Sequence, residues 1–360
     1  MDKKLILQVT EDIRLKSGGV TTMLKELNEK IIKNYNFESK ILTNFRDDND
    51  FENSLVKPTN PWNYNSNYFE ILDQIKPNAL HLHGIWKYTQ YIASKYAVKN
   101  RLNYVVSTHG MLEPWLFKNK KLKKIIYINF FVKEIFKNAT VLHAITSNER
   151  ESIKKYYGDK KRIEVIPNLI DFEKQITECQ NFEEKYILFL GRMHPIKGID
   201  LLIKSYSKIS NFKYKLKIVG PFNDYTQELK KLVSNLNLDN KVEFIDKVEG
   251  NIKTKLLQNA FAVFSPSYSE VVGMVNLEAA MLKTPVITTH QTGLEKGWNE
   301  NGGFLINPNI DEIQKKLTEV HSWTIEERIE RGNNLYNFVY DNYSWNKKGH
   351  LWKELYQSLV

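Results

Sequence analysis

The chain has 360 residues, of which 42% are hydrophobic and 26% charged, and this composition is typical of a globular protein long enough for two domains. No apolar run approaches the roughly 20 residues that cross a bilayer, and the short apolar stretch near the N-terminus indicates a first strand rather than a signal peptide. The single cysteine, Cys179, excludes an intrachain disulfide and a cysteine-based metal site, so we expect a reducing, cytoplasmic setting. The net charge is +10, and its local excess at residues 118–137 indicates an anionic partner, which is a membrane surface, a nucleic acid or an anionic substrate.

Strand-like and helix-like segments alternate along the first half of the chain, which predicts parallel α/β units. An apolar run at 5–9 precedes the pair Gly18-Gly19 and a segment, 20–33, whose apolar residues have helical spacing. Further buried strands are predicted at 79–83, 104–107, 140–145 and 163–166.

The alternation starts again after a polar stretch, 172–184, which we interpret as a linker. Strands are predicted at 186–190, 216–219, 242–245, 262–265 and 285–288. The predicted domains are therefore 1–171 and 185–341, and the amphipathic segment 342–360 is expected to pack back on the first domain.

A basic segment, 118–137, carries seven lysines and one glutamate among bulky apolar residues. A basic amphipathic helix is typical of membrane-surface binding, which predicts a membrane or acceptor-side patch at Lys120, Lys121, Lys123 and Lys124. A helix that packs inward and has a lysine-rich solvated end would have the same pattern. Both interpretations remain open at this stage.

Two glutamates, Glu270 and Glu278, follow the predicted strand 262–265 and lie eight residues apart around Gly273. A glycine loop at the start of a helix presents free backbone N–H groups, which suit an anion or sugar hydroxyls. Taken alone, the two acids are better explained as solvated residues near a helix N-terminus.

Two cations, Arg192 and Lys197, lie on the loop after the predicted strand 186–190. Fixed cations at the carboxyl end of a strand are what a diphosphate requires, although lone cations on a loop are usually just solvated. The pair Gly18-Gly19 would let the backbone approach a phosphate closely, although a tight turn explains it nearly as well.

Histidines end two of the predicted strands, and each is followed by a glycine. His81 is expected to pack inside because it alternates with His83, and His109 is the stronger functional candidate because carboxyl strand ends line ligand crevices. No helical histidine pair or acidic partner supports a metal site. Asp48-Asn49-Asp50 matches a D-x-D metal-binding string, and we interpret it as a chance match in a solvated loop.

Together these motifs resemble glycosyltransferase family 4, and the resemblance covers nearly the whole chain. Its strongest element is the E-x7-E motif from Glu270 to Glu278, preceded by Gly191-Arg192 and Lys197-Gly198. The stretch 166–171 resembles the interdomain IPNGxD sequence of the family, with Leu169 in place of the usual glycine. Segments 83–86 and 108–115 resemble a subgroup found in bacterial surface-polysaccharide clusters.

The resemblance implies the GT-B fold, with two Rossmann-like parallel α/β domains facing each other across a cleft. It also implies roles in the second domain. Glu270 would hold hydroxyls of the donor sugar, and Glu278 would hold those of the ribose. The other implied donor contacts are the side chains of Arg192 and Lys197 on the diphosphate and the backbone of Gly273, Met274 and Val275.

In the first domain, the resemblance implies that Gly19 faces the diphosphate and that His109 lies near the donor sugar and the reacting centre. It implies a retaining, metal-independent hexosyltransferase without a cofactor. Its partners would be a UDP or GDP sugar and a glycan or lipid-linked acceptor in capsule, O-antigen or lipopolysaccharide synthesis. We expect it in the cytoplasm, and at the inner face of the membrane if the basic segment binds lipid.

Three alternatives differ in what they require. A nucleotide-sugar epimerase or hydrolase of the same architecture would turn over the donor without an acceptor. A nucleic-acid-binding protein would fit the basic charge, but the sequence has no helix-turn-helix, RNP or zinc pattern, so no nucleic acid is expected as a partner. A non-catalytic glycan-binding protein would not need Glu270, Glu278, Arg192 and Lys197 together.

Overall fold

The computed structural model describes residues 3–14, 19–47, 54–118, 121–171 and 185–360, and the chain divides into two compact units. The division falls between Asn168 and Leu169, and again between Lys348 and Gly349, so that the last twelve residues belong to the first unit. The interpreted linker, 172–184, and its Cys179 lie outside the described residues. The domain limits 1–171 and 185–341 stay predictions.

The first unit contains a seven-stranded parallel sheet in the order β3-β2-β1-β4-β5-β6-β7. Its strands are β1 (Lys4–Val9), β2 (Phe37–Thr43), β3 (Ser54–Leu55), β4 (Ala79–His83), β5 (Asn103–Ser107), β6 (Val141–Ala144) and β7 (Ile163–Val165). Its helices are α1 (Gly19–Asn34), α2 (Tyr68–Ile75), α3 (Tyr88–Lys99), α4 (Lys121–Tyr127), α5 (Lys133–Asn138) and α6 (Ser147–Tyr157), and a π-helical turn, Ile128–Val132, joins α4 to α5.

The second unit contains a six-stranded parallel sheet in the order β10-β9-β8-β11-β12-β13. Its strands are β8 (Tyr186–Leu190), β9 (Lys215–Val219), β10 (Val242–Ile245), β11 (Ala262–Ser265), β12 (Val286–Thr289) and β13 (Phe304–Ile306). Its helices are α7 (Ile199–Ser207), α8 (Asp224–Asn235), α9 (Gly250–Asn259), α10 (Met274–Met281), α11 (Gly297–Glu300), α12 (Ile310–Ser322) and α13 (Ile325–Tyr343). A final helix, α14 (Trp345–Gln357), spans the division at 348 and 349.

The prediction of two parallel α/β domains is confirmed, and the pattern of apolar residues explains why. Strands buried on both faces read as continuous apolar runs, as β8 does with Tyr186–Leu190. The helical spacing predicted for 20–33 is also confirmed, because Met23, Leu24, Leu27 and Ile31 are the apolar residues that α1 buries.

Strands β2, β3 and β13 were not predicted from the sequence. β2 lies one strand from the edge of its sheet, and its burial alternates over Phe37–Lys40 instead of forming a continuous apolar run. β3 and β13 are edge strands of two and three residues, which are too short to give a periodic signal.

In both sheets the strand order reverses beside the first strand, between β1 and β4 and between β8 and β11. In open parallel sheets, ligands bind outside the carboxyl ends of the strands at such a reversal. The loops after β1, β4 and β5 and those after β8 and β11 are therefore the places where each unit would bind a ligand.

Candidate functional site

The loop after β8 is held by close backbone contacts that only glycine allows. The Gly191 N–H donates to the Val219 carbonyl oxygen at 3.0 Å, and a Cβ at Gly220 would lie 1.9 Å from the Gly191 carbonyl oxygen. At the start of α7, Gly198 has φ +66°, and a Cβ there would lie 2.2 Å from the Pro266 carbonyl oxygen. The loop that carries Arg192 and Lys197 is thus fixed against two neighbouring strand ends.

The two predicted cations have different surroundings on this loop. Arg192 is exposed, whereas Lys197 forms an ion pair with Glu270. Burial lowers the pKa of His194, which lies between them, and the charges of Arg192 and Lys197 lower it further. The loop therefore keeps a neutral imidazole next to two positive charges.

The loop between β11 and α10 brings Glu270 next to the start of that helix. Gly273 caps α10 with φ +71°, and a Cβ at this position would lie 2.8 Å from the Asn276 Nδ2 atom and 3.3 Å from the Glu270 Cγ atom. The first turn of a helix, here at Met274 and Val275, leaves N–H groups without an intrahelical acceptor. The carboxylate, the Lys197 ammonium and these N–H groups lie on two adjacent loops.

Glu278 lies one turn further along α10, where the Lys253 Nζ atom is 2.6 Å from its Oε2 atom. Sequence reasoning missed Lys253, which belongs to α9. No signal in the sequence links the two residues, because 25 positions separate them. Both glutamates of the E-x7-E motif are therefore paired with a lysine.

In the first unit, the carboxyl ends of β1, β4 and β5 surround a cavity of about 310 Å³. His83, Gly84 and His109 line it together with acidic and basic groups from Glu11 and Lys87. The volume is enough for a group of sugar size, at the low end of ligand pockets.

The loop 108–110 is anchored by Glu149, a fully buried carboxylate on α6. Its Oε1 atom accepts from the Thr108 hydroxyl and the Gly110 N–H, both at 2.5 Å, and its Oε2 atom accepts from the Ile145 N–H at 2.7 Å. These contacts hold His109 at φ +49°, a left-handed conformation that is uncommon for a side chain with a Cβ. Sequence reasoning missed Glu149, although Thr146 three residues before it gives the signal of a helix N-cap.

His109 contacts a second histidine at the end of β4. Its Nε2 atom lies 2.9 Å from the His83 Nδ1 atom, and the two rings stack with centroids 5.2 Å apart. Burial lowers the pKa of His109 to about 3, with a smaller effect from His143. Burial also lowers the pKa of His83 well below its ordinary value, so both imidazoles are neutral at physiological pH. The prediction that His81 packs inside is confirmed, because it is fully buried.

Two further predictions fall partly on residues that the structure does not describe. Gly19 is the first residue of α1 and is exposed, while Gly18 lies outside the described residues. The string Asp48-Asn49-Asp50 also lies outside them. Within the described ranges, no three His, Cys, Asp or Glu side chains are grouped as a metal site.

Of the four lysines predicted to form a patch, Lys120 lies outside the described residues. Lys121 and Lys123 are exposed on α4, whereas Lys124 is half-buried and donates to the Leu116 carbonyl oxygen. Among the helices that the structure describes, none is long and apolar enough to cross a bilayer.

The segment that carries these lysines is apolar on two sides. Ile128, Val132, Ile135 and Phe136 are buried in the core of the first unit. Leu122 and Phe130 are each 72% exposed, and Ile126 is 49% exposed. The helix therefore packs inward on one side and still presents apolar side chains to solvent on another.

Family models match nearly the whole chain. The model described as "Glycosyltransferase Family 4" matches residues 17–174, and that described as "Glycosyl transferases group 1" matches residues 171–337. The chain belongs to glycosyltransferase family 4. Its two parallel α/β units are those of the GT-B fold.

Individual relatives either have low sequence identity to this chain or match only part of it. The O-antigen chain mannosyltransferase RfbU of Salmonella typhimurium is 28% identical over 67% of this chain and 67% of its own length. An uncharacterized glycosyltransferase of Methanocaldococcus jannaschii is 38% identical, but the match spans only 45% of this chain and 42% of that protein. The crystal structure of Anabaena HepE in complex with UDP-glucose has a TM-score of 0.78 at 17% identity, covering 99% of this chain and 100% of that one. At this identity the structural likeness shows the fold alone.

The carboxyl of Glu113, next to the loop 108–110, predicts a pH dependence of stability. Burial raises its pKa to about 7 from the ordinary 4.5, and nearby Glu149 adds to the shift. Because the folded state favours the protonated carboxyl, its contribution to stability is complete below about pH 4.5 and is lost as the pH rises through 7. We expect the melting temperature of the wild type, measured relative to Glu113→Gln, to fall between pH 5 and pH 8.

Calorimetric scans of the two proteins side by side would measure this difference. The buried histidines titrate in both proteins, so their opposite pH dependence cancels in the comparison. A difference in melting temperature that stays constant from pH 5 to pH 8 would contradict the raised pKa of Glu113.

Proposed function

We propose that this glycosyltransferase moves a hexose from a nucleotide-diphosphate sugar, of the UDP or GDP type, to a glycan or lipid-linked acceptor, with retention of configuration and without a metal. The observation that carries the proposal is the arrangement after β8 and β11. Arg192, Lys197 and the first turn of α10 offer positive charge and N–H groups beside the carboxylate of Glu270.

The pairing of each glutamate with a lysine suits this substrate. An unpaired carboxylate would repel a diphosphate, whereas a paired one keeps its remaining lone pairs for hydroxyl donors at little electrostatic cost. We assign the sugar hydroxyls to Glu270, next to Lys197, and the ribose hydroxyls to Glu278, next to Lys253.

The chemistry follows from where negative charge develops. When the bond between the anomeric carbon and the diphosphate oxygen breaks, the leaving oxygen gains negative charge that Arg192, Lys197 and the helix N–H groups would stabilise. We propose that the acceptor oxygen bonds to the same face of the anomeric carbon while its proton passes to the leaving phosphate. His109, neutral and at the cavity of the first unit, would contact the donor sugar.

The relatives support the substrate class. The mannosyltransferase of Salmonella acts on O-antigen chains, by its name, and HepE was crystallised with UDP-glucose. We propose on this basis that the protein works in surface-polysaccharide synthesis, as part of the O-antigen, lipopolysaccharide or capsule pathways, in the cytoplasm. An epimerase or hydrolase would instead consume the donor in the absence of any acceptor.

Removal of the Arg192 guanidinium is expected to abolish nucleotide recognition. Wild-type protein in EDTA should gain thermal stability with one of UDP, GDP or ADP, and Arg192→Ala should lose this gain because the diphosphate loses a charged partner. Turnover should fall about 10²–10³-fold, as for other groups that stabilise developing charge.

Arg150→Ala is the matched control, because Arg150 is exposed on α6 of the first unit. It should behave as the wild type in the same thermal-shift screen. If Arg192→Ala keeps the full stabilisation, or if none of the nucleotides stabilises the wild type, the assignment of the diphosphate site is wrong.

Retention of the anomeric configuration can be measured on the product. With the donor that the screen identifies, ¹H NMR of the first product formed should show the same anomeric configuration as the donor sugar. The opposite configuration would rule out same-face transfer.

We further propose that α4 and the π-helical turn after it rest on an anionic membrane surface, which would bring a lipid-linked acceptor to the enzyme. The exposed apolar side chains of Leu122, Ile126 and Phe130 are accompanied by the exposed lysines Lys121 and Lys123. Apolar side chains flanked by lysines match the interface between acyl chains and anionic headgroups.

Replacing Lys121 and Lys123 together by alanine should weaken binding to vesicles of mixed zwitterionic and anionic lipid about 30-fold, because each lysine contributes about 1 kcal/mol to the attraction. Vesicle sedimentation measures this binding. The control replaces Lys155 and Lys160, two exposed lysines elsewhere in the first unit, and should bind as the wild type. Equal binding by both variants would contradict the proposed surface.

A further inference from the structure

Seven polar side chains of the first unit form one continuous chain of hydrogen bonds beneath the cavity. They come from four neighbouring strands, from the loop after β5 and from α14. We call His143 the inner end of the chain and His109, which lines the cavity, its outer end. In order from the inner end the members are His143, Ser107, His81, Tyr356, Gln8, His83 and His109. Such a chain has a direction, because each neutral member that donates at one end accepts at the other.

The direction is set at the inner end by a backbone carbonyl. The His143 Nε2 atom lies 2.8 Å from the Ile166 carbonyl oxygen, which can only accept, so His143 carries its proton on Nε2. Burial lowers the pKa of His143 to about 4, so the ring is neutral and its Nδ1 atom is an acceptor. The Ser107 hydroxyl, 2.6 Å from this Nδ1 atom, must therefore donate to it.

The same reasoning determines the donor and the acceptor of each hydrogen bond as far as Tyr356. Because the Ser107 hydroxyl donates its only proton to His143, it accepts from the His81 Nε2–H at 2.6 Å. Burial lowers the pKa of His81 far below its ordinary value, so its Nδ1 atom is unprotonated and accepts from the Tyr356 hydroxyl at 2.7 Å.

The direction then determines the orientation of an amide. The Tyr356 hydroxyl has used its proton on His81, so it accepts from Gln8, whose Nε2 atom is 3.2 Å away. The Gln8 Oε1 atom consequently faces His83 and accepts from its Nε2–H at 2.8 Å. Burial keeps His83 neutral as well, so its Nδ1 atom is an acceptor.

At the outer end, the chain determines the tautomer of His109. Its Nε2 atom must donate to the His83 Nδ1 atom at 2.9 Å, which leaves the His109 Nδ1 atom without a proton. That Nδ1 atom is buried and has no hydrogen-bond partner among the described residues. His109 lines the cavity of about 310 Å³ at the carboxyl ends of β1, β4 and β5.

We infer that this chain is a positioning device, which fixes His109, at the cavity, as the Nε2–H tautomer with an unprotonated Nδ1 atom. Tyr356, from α14, and His143 act as positioning residues that do not line the cavity. A ring fixed in this state offers a lone pair and no proton at its Nδ1 atom, so a ligand group that reaches this atom must be a donor such as a hydroxyl, not a phosphate oxygen or a carboxylate. Only the identification of that hydroxyl with a sugar rests on the proposed function.

The packing around the chain supports a fixed direction. The Trp352 ring covers it from α14, with its centroid 5.6 Å from that of His81 and 4.8 Å from that of His143. An apolar cover excludes water that could donate or accept in place of a member. The second Gln8 Nε2 proton is directed at the Ser39 hydroxyl, 3.4 Å away, which is consistent with the same amide orientation.

Long-range ¹H–¹⁵N correlation spectra of the ¹⁵N-histidine-labelled full chain, without ligand, would test the inference. The His109 signals are identified by their loss in His109→Asn. In the wild type at pH 7 we expect a protonated Nε2 and an unprotonated Nδ1 atom. In Tyr356→Phe the chain is cut between His81 and Gln8, so the amide can rotate and the His109 signals should move towards those of mixed tautomers.

Tyr104→Phe is the matched control. The Tyr104 hydroxyl is equally buried in this unit and donates to the Ile135 carbonyl oxygen at 2.6 Å, but it lies outside the chain. This variant should keep the wild-type His109 tautomer. If Tyr356→Phe does not fold, Ser107→Ala cuts the same chain between His143 and His81 and should also release the tautomer.

A wild-type His109 protonated on Nδ1 would overturn the inference, as would a His109 tautomer that stays fixed in a folded Tyr356→Phe or Ser107→Ala variant. Because the spectra need no nucleotide and no acceptor, this result is independent of the transferase assignment. A failed nucleotide screen with the expected tautomer response would remove the sugar as the ligand and leave the positioning chain in place.

Discussion

A polar group buried in a sheet must find a hydrogen-bond partner, and this requirement organises the first unit. Gln8, His81, Ser107 and His143 come from the adjacent strands β1, β4, β5 and β6, and they are fully or almost fully buried. Leaving any of them unpaired would cost about 1–3 kcal/mol. The sheet alone does not satisfy them, because the hydroxyl of Tyr356 joins Gln8 to His81. Helix α14 thus contributes a structural part of the site whose other buried groups come from β1, β4, β5 and β6.

The second unit meets a different constraint, the close approach of backbones at the carboxyl ends of its strands. Gly198 and Gly220 allow neighbouring loops to contact each other, whereas a side chain at either position would hold these loops apart. Loops fixed in this way hold charged side chains in place at little cost in entropy when a ligand binds. The lysine beside each glutamate balances its charge, so the uncompensated positive charge that a diphosphate would meet comes from Arg192 and from the start of α10, and the Lys197 ammonium would add a direct contact to a phosphate oxygen.

The sequence predicted the elements of this architecture that depend on local pattern. The predicted strand 186–190 is a continuous apolar run, and in the strand 79–83 apolar residues alternate with histidines. The E-x7-E motif follows a strand as expected, and it extends from the loop at Glu270 into α10, which carries Glu278. The sequence did not predict Lys253, Glu149 or Tyr356 as parts of a site. Each of these acts through a partner distant in sequence, and such pairings depend on the fold and leave no local pattern. His109 was predicted as a candidate, but its hydrogen bond to His83 could be seen only in three dimensions.

The basic segment shows why two sequence interpretations need not exclude each other. A straight α-helix with one apolar stripe packs that stripe inward and exposes its polar side. Here the π-helical turn at Ile128–Val132 changes the angular register within one continuous segment. Ile128 and Val132 consequently pack in the core, while Leu122 and Phe130 remain exposed among lysines. Core packing accounts for the first pair only. The exposed pair needs another explanation, since large apolar side chains grouped on a surface commonly mark an interaction site.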